Sequence, residues 1–139
     1  MSPSLEYHKF SVADYHRMIE KGILTKDDKV ELIRGQILQR EPITPRHAAC
    51  AKKVNRAFHG LHAVAIISVK DPIRLEDSEP EPDFVLLERK DDYYASGHPV
   101  PADVHLVVEV ADTSQRFDRE VKGPLYAENG IREYWLVDV

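Results

Sequence analysis

At 139 residues, 42% apolar and 31% charged, the chain is sized for one domain (1–139) with its own core and is not a disordered segment. A net charge of -5 argues against a protein that coats nucleic acid through clustered Lys and Arg, though an acidic metal site attracts phosphate once cations bind. The single cysteine, Cys50, excludes an internal disulfide and a Cys-rich zinc site and fits a reducing, cytoplasmic setting. No apolar run nears the roughly 20 residues that span a membrane, and the N-terminus has no basic region followed by an apolar run.

Ser11 is placed to cap a helix that Gly22 ends, with Asp14 standing in for the usual Glu of a capping box. Residues 29–40 read as two short strands around Arg34-Gly35. Between them, Glu31 sits among Val30, Leu32 and Ile33. It is either an exposed edge-strand charge or a carboxylate aimed at a site, since burial without a partner is costly. The first strong helix runs from Pro45 to Leu61, with Ala51, Val54, Phe58 and Leu61 on its buried face. Lys52, Lys53 and Arg56 fall on the other side, as solvated surface or as contacts to nucleic-acid phosphates. His47 leans inward from the first turn, as a hydrogen-bonded core residue or as a catalytic one. His59 and His62 have metal-like spacing but no third ligand nearby, and read as a helix end.

The β-branched run Val64–Val69 predicts a central strand, and residues 73–76 a short one. Residues 77–82 form a polar, Pro-rich loop. Asp83 opens a strand to Leu87, as a turn residue or as a ligand. Residues 89–101 form a long loop. Asp103 to Ala111 is the longest apolar strand, apolar on both faces and so covered on both sides. Glu109 interrupts it and needs a partner, a metal or a raised pKa. Asp118 can cap the next helix and Gly130 can close it. Asp118, Lys122 and Tyr126 lie four apart on one face. The plain reading there is an Asp118–Lys122 salt bridge, and Gly123-Pro124 predicts a kink or a later start. Residues 133–139 are a last strand. The whole predicts an α/β domain, a mixed sheet flanked by helices. Asp83 and Glu109 can lie side by side if their strands are neighbours. Two hard oxygen ligands suit Mg²⁺ or Mn²⁺, and Lys122 could point at the same spot.

The chain resembles the Uma-type restriction endonuclease family of the PD-(D/E)XK nuclease superfamily. The likeness rests on residues 30–37 (Val-Glu-Leu-Ile-Arg-Gly-Gln-Ile), Pro45-Arg-His47, Pro82-Asp83, residues 106–114 (Leu-Val-Val-Glu-Val-Ala-Asp-Thr-Ser) and residues 118–138. The last stretch is the most specific and Pro-Asp alone the least. The resemblance implies a restriction-endonuclease-like fold and a Mg²⁺- or Mn²⁺-dependent DNA endonuclease. Asp83 and Glu109 would bind the metal, with the Val110 carbonyl as a further ligand, and Lys122 would position the attacking water. Glu31 and His47 match family positions lining the same pocket. The superfamily signature puts its lysine two residues after the second acid, where this chain has Ala111, so the resemblance implies that the lysine has moved to the helix. Family members continue past the strand ending near Asp138, so C-terminal strands are expected to be missing. The competing expectation is a catalytically silent nuclease fold that binds nucleic acid or a protein partner. A weaker one is hydrolysis of another phosphodiester such as RNA. Cutting both strands would be simplest for a homodimer.

Overall fold

The computed structural model describes residues 4–139. Helix α1 (Val12–Glu20) begins with the capping box that its sequence predicts: Ser11 Oγ accepts from the Asp14 N–H and the Asp14 carboxylate accepts from the Ser11 N–H. A hairpin follows, β1 (Val30–Ile33) paired antiparallel with β2 (Gln36–Gln39). Its two turn residues both take left-handed backbone, Arg34 at φ 50 and Gly35 at φ 80, which matches the twist of the strands they join. A Cβ on Gly35 would meet Lys9 Cβ at 2.8 Å, so glycine is required there by space as well as by conformation.

Helix α2 (Pro45–Phe58) is capped by Thr44 and has proline at its first turn, where a missing N–H costs nothing. A 3₁₀ turn at His59–Ala63 ends it. The main sheet holds β3 (Ile66–Val69), β4 (Phe84–Leu87), β5 (Val104–Ala111) and β6 (Tyr134–Asp138), in that spatial order. β3–β4 and β4–β5 are antiparallel and β5–β6 parallel. This is the expected mixed sheet flanked by helices.

Three local expectations change. The run Val64–Val69 forms a strand only over Ile66–Val69, and it is an edge strand, not a central one, because among the described residues no strand pairs with its outer side. Residues 73–76 form no strand. Their N–H groups go instead to loop carbonyls, Ile73 to Pro80, Arg74 to Pro99 and Leu75 to Ser78. Asp118 is not the N-cap of a helix, since it lies inside a continuous helical run made of α3 (Gln115–Phe117), a π-helical turn (Asp118–Lys122) and α4 (Gly123–Glu128). Pro124 has no N–H to donate, and just before it the Gly123 N–H reaches back to the Asp118 carbonyl. The disturbance predicted at Gly123-Pro124 is therefore this widened turn, a form of helix often found at functional sites.

Side chains alternate across β5. Val108 and Val110 pack with Phe84 and Phe58, against the α2 side. Val107 packs on the opposite face with Leu125, Tyr126 and Ile33. By the same alternation Glu109 falls on the face of Val107, toward α4 and the hairpin. Ile33 belongs to that cluster too, so Glu31, two residues earlier on β1, looks into it.

Candidate active site

Glu109 is 3% exposed in the middle of the best-covered strand. Such a carboxylate is tolerated only if fully partnered. It is: Oε2 accepts from Lys122 Nζ at 2.8 Å and from the Tyr126 hydroxyl at 2.9 Å, while Oε1 accepts from the Asp83 N–H at 3.1 Å. The π-helical turn sets Lys122, and the helical spacing from it to Tyr126 brings both donors to one oxygen.

The Lys122 ammonium is also 2.9 Å from Glu31 Oε1, which accepts in addition from the Glu81 N–H at 3.1 Å. Burial alone would pull the lysine pKa down. The Glu109 and Glu31 carboxylates outweigh it, so the net shift is upward and Lys122 is held protonated. Burial and the same two carboxylates push the Tyr126 phenol well above its ordinary value.

Asp83 lies at the entrance of β4, one residue beyond the Phe84–Val108 pair. Its Oδ2 accepts from the Val110 N–H at 2.7 Å and faces His47 Nε2 at 3.3 Å. The His47 Nδ1 is buried and has no hydrogen-bond partner among the described residues. Asp118 is buried nearby and accepts from the Ser114 hydroxyl at 2.7 Å. Burial and then the Glu109 charge push its pKa up to about 7, against the opposing pull of Ser114 and Lys122. Asp83, Glu109, Val110, Lys122, Glu31 and His47 all line one cleft of about 710 Å³.

The model of the family described as "Uma2: Putative restriction endonuclease" matches residues 12–139. This chain belongs to the Uma2 family. Among solved structures, it is similar to a protein from Anabaena variabilis described as a putative nuclease belonging to DUF820, with a TM-score of 0.73 and 15% identity. That match covers 93% of this chain and 74% of the other, and at such identity it establishes the restriction-endonuclease-like fold. No curated protein matches the sequence.

In this Uma2 chain the structure brings together every residue of the expected constellation except the basic face of α2. Lys52, Lys53 and Arg56 are exposed, and none of them lines the cleft. Glu31 is no exposed edge charge, being 4% exposed and ion-paired with Lys122. The expected Asp118–Lys122 bridge is absent among the described residues, because Lys122 turns to Glu31 and Glu109 instead. Sequence reasoning missed the role of Tyr126, whose signal was its helical spacing from Lys122. It also missed the main-chain support from Glu81, for which the sequence carries no local signal.

Among the described residues, no three His, Cys, Asp or Glu side chains converge as a ready metal cluster. The donor chemistry still suits a hard divalent cation. Oδ1 of Asp83 accepts no hydrogen bond among the described residues, and Oε1 of Glu109 has a single donor, which leaves it one lone pair. Mg²⁺ asks for little more than one or two carboxylates, since it keeps several waters and takes phosphate oxygens.

Proposed function

We propose that this chain is a DNA endonuclease that works with Mg²⁺ or Mn²⁺. The cation would be held by Asp83, Glu109 and the carbonyl of Val110. The observation that carries this reading is the Lys122 ammonium, buried between Glu31 and Glu109 in a cleft that Asp83 also lines. A bound divalent cation would polarise the scissile phosphate and lower the pKa of a coordinated water. Lys122, kept protonated, acts as a donor and not as a base: it orients the attacking water and offsets the charge that develops on the phosphate oxygens. Glu31 aims that ammonium. His47 steadies Asp83 or reaches the phosphate. Two copies of the chain would cut both strands of a duplex.

The test is plasmid nicking with added Mg²⁺ or Mn²⁺, with calorimetric titration of the same cation, for wild type, Asp83→Asn and Glu109→Gln. Nicking and cation binding should be present in the wild type and lost in both variants, with circular dichroism unchanged. A variant that nicks like the wild type overturns the assignment of that residue.

A second reading has its own observation. Both Glu109 oxygens already accept hydrogen bonds, as expected of a carboxylate retained for structure in a silent nuclease fold that binds nucleic acid or a protein. A wild type that neither binds the cation nor nicks DNA favours it. Faster cleavage of RNA than of DNA in competition would move the substrate class instead.

A further inference from the structure

Five cationic or potentially cationic side chains line the cleft: Arg40, His47, Lys70, Arg116 and Lys122. Four of them are already matched to a carboxylate. Arg40 lies 3.1 Å from Glu81, Arg116 3.0 Å from Glu120, His47 3.3 Å from Asp83, and Lys122 bridges Glu31 and Glu109. The ammonium of Lys70 makes no ion pair and no hydrogen bond among the described residues. Lys70 is half-buried on the cleft wall, so its charge is available to an anion that enters.

Its placement is specific. Val69 pairs with Phe84 at the end of β3, and the next residues of the two strands are Lys70 and Asp83. The Lys70 N–H donates to the Asp83 carbonyl at 3.2 Å, so the lysine backbone is tied to the candidate metal ligand. Lys70 also holds φ 57, left-handed backbone that disfavours any residue with a Cβ. Glycine would fit that conformation at less cost, yet the position carries a long cation facing the cleft.

We infer that Lys70 is a substrate-binding residue that takes a backbone phosphate of the DNA strand lying in the cleft. The inference rests on the DNA-cleaving reading above for its substrate. It moves the phosphate-contacting role from the exposed face of α2 to the cleft wall beside Asp83. Its chemistry is that of a point charge replacing counterions on the phosphate.

The test uses a short fluorescent DNA duplex, with Ca²⁺ in place of Mg²⁺ so that it is bound without being cut, and anisotropy measured over a salt series. Each phosphate contact adds about 0.9 to the slope of log affinity against log salt. Lys70→Gly should lower that slope by about one such step and weaken binding roughly three- to tenfold at low salt. Its melting temperature should stay the same or rise, because glycine relieves the left-handed backbone. Lys70→Arg should keep the slope. With Mg²⁺ present, Lys70→Gly should raise KM for nicking more than it lowers kcat.

An unchanged slope and unchanged KM in Lys70→Gly overturn the inference, as does a wild type that binds no DNA. The two readings fail separately. Glu109→Gln that still nicks sinks the assigned site while the Lys70 slope can stand, and wild-type nicking with an unaltered Lys70→Gly slope sinks only Lys70.

Discussion

The backbone N–H of Asp83 donates to Oε1 of Glu109 at 3.1 Å, so the side chain of one acid is fixed by the main chain of the other. The return contact runs from the Val110 N–H to the Asp83 carboxylate at 2.7 Å. Adjacent strands thereby hold the two carboxylates in register through their own main chain. The proposed site is pre-organised, and its members are tied into the fold through main-chain hydrogen bonds.

The buried charges are unequal, two carboxylates to one ammonium. Removing the lysine leaves both acids uncompensated, whereas removing one acid leaves a balanced pair. Lys122→Met should therefore cost about 3–5 kcal/mol, and Glu109→Gln several times less. Urea denaturation of the two variants checks the ranking. Equal losses would mean that Lys122 does not compensate both acids.

Tyr126→Phe deletes one donor to a charged acceptor and changes no formal charge. It should cost about 1.5–3 kcal/mol. With Glu109 held by Lys122 and the Asp83 N–H alone, kcat for nicking should fall while KM for DNA stays near the wild-type value. Steady-state nicking kinetics separate this from a change in DNA binding, which would appear in KM.

Asp118 makes stability depend on pH in an uncommon direction for a carboxylate. Its folded pKa, about 7, lies above the ordinary 3.8, so the folded state holds this proton more tightly than the unfolded one. Its stabilising contribution is complete below about pH 4 and is lost as pH rises through about 7. Asp118→Asn mimics the protonated form. Its stability relative to wild type should grow between those two values and then level off, as read by urea denaturation across that range without divalent cation. A constant difference at every pH would refute the assignment.

Thr44 joins two tasks. Its Oγ accepts from the His47 N–H at 3.1 Å as the cap of α2 and donates to Asp112 at 2.6 Å. Thr44→Ala should cost about 1 kcal/mol as a lost cap. It should also loosen His47, so nicking should fall by more than the small loss of folded protein explains. Thermal melting alongside activity makes the comparison.

The parts of this architecture legible in the sequence were those with local signals. The apolar run around Glu109 announced a strand covered on both faces, and alternation then fixed which way the carboxylate points. Ser11 and Asp14, Arg34 and Gly35, and Pro45 each marked a boundary by capping, turn or first-turn chemistry. That Lys122 points at Glu109 was open to the sequence, with a bridge to Asp118 as the plain alternative. Its second partner, Glu31, lies on a hairpin far away in sequence and was placed in the same pocket only by the family resemblance. No periodicity encodes that contact. The apolar run Val64–Val69 looked central because β-branched residues suit both central and edge strands, and only pairing tells the two apart. Residues 73–76 looked like a short strand, but their N–H groups are divided among the buried Ser78–Pro80 loop, Pro99 and the Asn129 side chain, which leaves no ladder to form.

The hairpin of β1 and β2 and the four-stranded sheet are separate ladders, and Lys122 bridges Glu31 on one to Glu109 on the other. Neither ladder can open at this point without leaving a charge exposed to an apolar wall, so local opening of the two is coupled. Amide hydrogens in β1 and in the middle of β5 should then exchange with solvent through one shared event. On the proposed function, breathing of the hairpin is thus a poor route for substrate to enter or product to leave, and that traffic falls to the mouth of the cleft.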